Sequence, residues 1–336
     1  MLPRLARLRV AGRPTRNDRG DVIDPELHVL LDLMERSGQP PLERQSPAQA
    51  RASYRFGVEL LGPRATHPVR TLAAEGLELR VHRARPFGTG PAVVFFHGGG
   101  FVIGDAPTYD GVVGELARRS GCTFISVPYR QAPEHPFPAG IDDALRGFRW
   151  VMNHTDALGI DPERVAVMGD SAGATLAITV AQAQLATGGP MPAMQCLVYP
   201  AIERSAHTAS REHLSEGYIL TREVLDYFTR HYLGGPVNPR DPRLAPMAFP
   251  TPEHMPRTLL VTAGFDPLRD EGEAYGEHLD RHGVAVDHIY WPDLVHGSFT
   301  MGGVLGTPRR RVNALAERLA RAIAHPVVRD RRSAVA

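Results

Sequence analysis

The sequence predicts an α/β protein built on a mostly parallel sheet, and three observations carry that prediction. Short apolar runs recur along the chain: AVVFF, TFISV, RVAVM, QCLVY, TLLVT and DHIYW. Their apolar residues run together rather than alternating with polar ones, as strands buried on both faces require. Helical stretches separate them, the signature of crossover connections with helices on both faces of a sheet. At 336 residues the chain is long enough for one such domain with additions.

Residues 1–65 read as helical and stand apart from the alternation. In DPELHVLLDLMERSG, Leu27, Leu30, Leu31 and Met34 recur at helical spacing, with Asp24 as N-cap, Pro25 in the first turn and Gly38 as a stop. PAQARASYRFGVELLG carries Tyr54, Val58 and Leu61 along one side, with Gly57 as a weak point. VRTLAAEGLELRVHRAR reads as a hairpin turning at Glu75-Gly76. The strands then alternate with helices near 112–119, 141–153, 172–185, 271–281 and 309–323, giving a sheet of about eight strands. Residues 201–257 are far more than one crossover needs and contain GYILTREVLDYFTRHYLGG, so they predict a helical insertion. The expected division is a cap segment at 1–65, a catalytic core at 66–204 and 241–336, and a second cap piece at 205–240. Leu27, Leu30, Tyr54, Phe56, Tyr218 and Leu220 are candidates to line a pocket beneath that cap or to join its pieces.

Composition removes several function classes. The 38 basic residues nearly balance 37 acidic ones, so no broad field favours nucleic acid or anionic lipid. None of the basic residues is Lys, which excludes a Schiff-base amine, a P-loop Lys and a Ser-Lys dyad. Cys122 and Cys196 lie in separate apolar runs and read as buried free thiols. No H-E-x-x-H occurs, and the histidines in PEHPFP, REHL and PEHM lack the paired spacing of a zinc site, so neither a metal nor another cofactor is expected. The Arg-rich start lacks the apolar length of a signal peptide or membrane span, which gives a soluble, cytoplasmic expectation. The Arg-rich tail reads as an amphipathic surface helix with a frayed end. A homodimer is compatible with all of this.

In parallel sheets the chemistry collects at the carboxyl ends of the strands. After RVAVM comes Gly169-Asp170-Ser171-Ala172-Gly173, a G-x-S-x-G pattern in which small flanking residues let the chain reverse and hold a serine, strained, at the head of a helix. A plain N-cap serine is the alternative. After AVVFF comes His97-Gly98-Gly99-Gly100-Phe101, whose successive unshielded N–H groups suit a developing oxyanion. A dinucleotide loop is excluded because Ile103 stands where its last glycine belongs. A serine needs a base, and the base an orienting acid, following in that fold context as acid then histidine. Asp266 after TLLVTAGF and His296 after DHIYWPDLV keep that order, although Asp266 could also be only a helix N-cap.

Taken together, HGGGFVIG, VPYRQAPEHPFPAGIDDA, GDSAGA, AGFDPLRDEGEAY and VHGSF resemble the hormone-sensitive-lipase-like carboxylesterases of the α/β-hydrolase superfamily, in the bacterial family IV group with the GDSAG elbow. The resemblance covers roughly residues 92–299. It implies Ser171 as nucleophile, Asp266 as orienting acid, His296 as base, and Ala172 with two of Gly98, Gly99 and Gly100 as the oxyanion hole. Phe101, Tyr218 and Leu220 are candidate substrate contacts. Two positions depart from the group: Gln131 stands where Leu is usual, and Ser298 where a bulky residue is usual. The implied substrate is a small-molecule ester of short or medium acyl chain, cleaved without a cofactor. The same residues would also serve a lactone, an amide or an acylated drug, and a non-catalytic binding protein on this scaffold is the reading from another class.

Overall fold

Strands β1 (Arg70–Ala74) and β2 (Leu77–His82) form the predicted hairpin, closing through Glu75 and Gly76, both at positive φ. They join β3 (Gly90–Phe96), β4 (Thr123–Ser126), β5 (Ile160–Asp170), β6 (Met194–Val198), β7 (Arg257–Phe265) and β8 (Val286–Val295) in one sheet. Its order is β1-β2-β4-β3-β5-β6-β7-β8; β2 pairs antiparallel with β1 and β4, and the remaining pairs are parallel. The computed structural model describes residues 15–83, 89–204 and 206–324. Most of the Arg-rich start and the far end of the Arg-rich tail lie outside the described residues.

The helices, in chain order, are α1 (Pro25–Arg36), α2 (Pro47–Leu61), α3 (Asp110–Ser120), α4 (Ala139–Asn153), α5 (Thr155–Leu158), α6 (Ala172–Thr187), α7 (Ala209–His213), α8 (Arg222–Leu233), α9 (Arg269–Arg281) and α10 (Gly306–Ala324). Alternation within the buried strands sorts them onto two faces. Val94 and Phe96 of β3 and Val167 of β5 share a core with Ile141 and Phe148 of α4, Leu176 and Val180 of α6, and Leu279 of α9. Val93, Phe95, Ala166 and Met168 face the other way, onto Val113 and Leu116 of α3 and Leu315 and Leu319 of α10. Cys122 and Cys196 are buried and unpaired.

The segments outside the alternation divide between these faces. In α1, Asp24 caps as expected, accepting from the Glu26 and Leu27 N–H groups, and its other oxygen accepts from the Thr307 hydroxyl at 2.7 Å. Leu27 is fully buried on the α10 side, while Met34 is 48% exposed, so the buried stripe of α1 stops short of its last turn. A capping box of Ser46 and Gln49 opens α2. Val224, Tyr227, Phe228 and Tyr232 of α8 join the α4/α6 side, over the end of β3. No helix among the described residues is long and apolar enough to cross a membrane.

Candidate active site

One residue separates β5 from α6. That residue, Ser171, has φ 54° and ψ −122°, outside the regions that L-residues favour. Its neighbours must be small: a Cβ on Gly169 would enter the backbone of Gly173, and one on Gly173 would enter the carbonyl of Phe96. The Ser171 side chain does not cap α6. Its hydroxyl lies 2.8 Å from His296 Nε2, so the N-cap alternative is not what the fold adopts.

His296 follows β8 and is almost fully buried, with Nδ1 2.8 Å from Asp266 Oδ2. Asp266 follows β7, is wholly buried, and receives the Leu268 N–H on Oδ1 at 2.8 Å. A carboxylate at Nδ1 assigns the imidazole proton to that nitrogen, leaving Nε2 to accept from the serine. Asp293, the other carboxylate near His296 in sequence, is held by Arg311 at 3.0 Å.

The loop after β3 brings backbone donors to the same place. Gly98 donates its N–H to Asp170 Oδ1 at 2.9 Å, so of the three expected glycine donors this one is already engaged. No hydrogen bond among the described residues engages the N–H groups of Gly99, Gly100 or Ala172. Glycine is obligatory at two of these positions: Gly99 (φ 115°) lies against the Ile103 carbonyl, and Gly100 (φ 60°) against the Phe228 ring. His97, stacked on Tyr129 at 4.3 Å, is pushed by burial down to about 4 and is neutral at pH 7. Burial raises Asp170 to about 7, against hydrogen bonds from Tyr109 and the Gly98 N–H that favour its charged form.

The expected substrate contacts fall in different surroundings. Phe101 is buried and stacks on Tyr232 at 3.9 Å, with the Arg204 guanidinium 4.6 Å from the Tyr232 ring. Leu220 is buried in the same cluster. Tyr218 is half-buried against Phe265, next to Asp266. Phe56, by contrast, is 66% exposed: two residues from Tyr54, it points to the opposite side of α2. Ser298 is fully buried, and its hydroxyl has no partner among the described residues. The sequence reading overlooked Tyr199, whose ring lies 4.5 Å from that of His296; its place just after β6 was the available signal. It also overlooked Asp170, which sits inside the serine motif itself. Two surface clefts, of roughly 320 and 250 Å³, are lined around Arg146 and Trp150 and around Arg55 and Asp105; neither includes Ser171. The contacts among Ser171, His296 and Asp266, not cleft size, mark the candidate site.

Comparison with known proteins gives a consistent result. A family described as α/β hydrolase fold matches residues 93–300. A carboxylic ester hydrolase, LipN of Mycobacterium tuberculosis, is 37% identical over 331 residues, covering 94% of this chain and 88% of its own. An ethyl acetate hydrolase of Pseudomonas putida is 32% identical, covering 84% of this chain and 94% of its own. Among solved structures, an ester hydrolase from the Lake Arreo metagenome, in complex with a bipyridine phosphonate derivative, superposes with TM-score 0.86 at 35% identity over 90% of this chain and all of that one. A hyperthermophilic esterase from Pyrobaculum calidifontis gives 0.83 at 33% identity, over 90% of this chain and 99% of that one.

Proposed function

The chain belongs to the α/β-hydrolase fold family, in its hormone-sensitive-lipase-like group of carboxylic ester hydrolases, and from that premise we propose that it cleaves short- to medium-chain esters through Ser171, His296 and Asp266. The observation that carries this reading is the continuous pair of 2.8 Å contacts from Asp266 through His296 to Ser171. In the first step Ser171 Oγ attacks the ester carbonyl while His296 Nε2 takes its proton. The oxyanion is received by the free N–H groups of Gly99, Gly100 and Ala172, aided by the positive end of α6. Collapse breaks the bond to the alcohol, which leaves with the proton from His296 and leaves an acyl-serine. Water then attacks that acyl group, again giving its proton to His296, and the acid departs as Ser171 recovers its hydrogen.

Phe101, Leu220 and Tyr218 form the substrate-contacting surface in this proposal; of the expected cap pieces 1–65 and 205–240, it takes the α2 part of the first together with the second as the cap. The partner is a small-molecule ester; a cytoplasmic location and a homodimer complete the reading. A fluorophosphonate is expected to label the protein once, at Ser171, and Ser171→Ala to lose label and turnover while staying folded. Matched p-nitrophenyl esters and anilides separate ester from amide chemistry. Faster turnover of the anilides, or label at another residue, would overturn the proposal.

A further inference from the structure

The loop that presents Gly99 and Gly100 is tied down almost entirely through its carbonyl groups. The Gly98 carbonyl faces His97 Nδ1 at 2.7 Å, and that of Gly99 accepts from the Val102 and Ile103 N–H groups. The Phe101 carbonyl accepts from the Ala132 N–H at 2.9 Å. Gln131 donates from Nε2 to the carbonyls of Ile103 and Gly104 at 2.9 and 2.7 Å. With these acceptors engaged, the N–H groups of Gly99 and Gly100 remain without a partner among the described residues.

Two of the remaining ties come from outside the sheet domain, from one turn of α2. Arg51 Nε donates to the Val102 carbonyl at 2.8 Å, and its Nη2 to the Ala132 carbonyl at 2.8 Å. Tyr54, three residues on and therefore on the same helix face, meets the Tyr109 hydroxyl at 2.8 Å. Tyr109 donates to Asp170 Oδ2 at 3.0 Å, which assigns the Tyr54 hydroxyl as donor to Tyr109. Asp170 in turn holds the Gly98 N–H. Arg51 thus grips the far end of the loop and Tyr54, through Tyr109 and Asp170, its near end.

We infer that α2 is a positioning element for the oxyanion loop, with Arg51 and Tyr54 as its two positioning residues, so that the N-terminal segment acts on the chemical step and not only on the shape of the pocket. This rests on the reading that Gly99 and Gly100 receive the oxyanion. Removing an oxyanion donor outright costs about 10²–10³ in kcat, and a displaced donor loses part of that. The polar atoms of both side chains are spent on the loop and on Tyr109, so the effect is expected in kcat rather than in KM.

The test compares Tyr54→Phe, Arg51→Ala, Arg51→Lys and the control Glu134→Gln in the full chain. Glu134 pairs with Arg51 at 2.6 Å but is 54% exposed, so its loss leaves the carbonyl contacts of Arg51 in place. The expected result for Tyr54→Phe and Arg51→Ala is a kcat for p-nitrophenyl butyrate lower by about tenfold, at KM within twofold. Affinity for a boronate analogue of the tetrahedral state should fall in parallel, because both read the same donors. Arg51→Lys should recover part of the loss, and Glu134→Gln should match the parent. Hydrogen–deuterium exchange of the peptide spanning 97–104 reads the bracing without any turnover: the two deleterious variants should exchange faster there at nearly unchanged Tm. Unchanged exchange overturns the bracing. Faster exchange with unchanged kcat overturns the link to chemistry. If the parent neither turns over esters nor takes the Ser171 label, the functional reading has failed, and the exchange data still decide the bracing.

Discussion

Asp266 and Asp293 are the two carboxylates that compete, by sequence position, to orient His296, and their surroundings separate them. Asp266 is buried against Nδ1, whereas Asp293 faces Arg311. Asp266→Asn keeps the shape but favours the wrong imidazole tautomer, a loss of about 10⁴ in kcat, while Asp293→Asn should stay within severalfold of the parent. The opposite ranking in steady-state kinetics would reassign the acid. Asp170 makes a pH-dependent prediction. Burial raises it to about 7, so between the ordinary carboxylate range near 4 and pH 7 the folded chain holds a proton that the unfolded chain has released. That contribution to stability is complete below about pH 4 and is lost as pH rises through 7. Asp170→Asn cannot lose it, so its stability relative to the parent should rise between about pH 4 and pH 7, by on the order of 1 kcal/mol per unit crossed, and level off above. A difference in urea unfolding free energy that is flat with pH would contradict the assignment. Ser171 carries strain at φ 54°, of order 1–3 kcal/mol. Ser171→Gly should therefore melt above Ser171→Ala, both being inactive.

At the scale of elements, the site depends on how closely β3, β5 and α6 approach one another. Gly173 lets the first turn of α6 rest on the Phe96 carbonyl, and no rotamer change can make room for a methyl group against backbone. Gly173→Ala should express mainly as insoluble protein, since relief would require moving α6 or β3 with the nucleophile attached. Helix α1 shows the opposite economy, a peripheral element held by a few specific bonds. Asp24 caps its N-terminus and accepts from Thr307 at the head of α10. Asp24→Ala should cost about 1–2 kcal/mol in unfolding free energy and leave kcat unchanged. A fall in kcat would mean that α1 reaches the site. Asp24 was legible as a cap because the donor geometry of a helix start is local. Its tie to Thr307, far along the chain, was not, because it depends on where α10 lies.

For the whole molecule, the N-terminal segment divides into two elements with different consequences. Leu27 of α1 sits on the α10 side of the sheet, whereas α2 reaches the oxyanion loop through Arg51 and Tyr54. Deleting residues 1–40 should lower stability by the burial of Leu27, about 1.5–3 kcal/mol, plus the Asp24 contacts. Label at Ser171 and the acyl-chain profile should persist. Extending the deletion to residue 62 should lower kcat as well; equal kcat for the two truncations, measured in the soluble fractions, would set α2 apart from the site. The sequence by itself determined the strand and helix order, because burial on both faces writes an apolar run and a turn demands its own residues. It determined the Ser171, Asp266 and His296 candidates, because a strained elbow needs Gly169 and Gly173 beside it and because the acid and base follow strand ends in order. Only the tertiary structure decided that Gly98 is spent on Asp170, that Phe56 faces solvent while Tyr54 turns inward, and that α1 packs on the α10 side of the sheet while α2 touches both clusters and reaches the loop after β3. The physical reason is range: periodicity and turn chemistry act over a few residues, whereas which side chain meets which carbonyl depends on packing between segments that the sequence separates by dozens of positions or more.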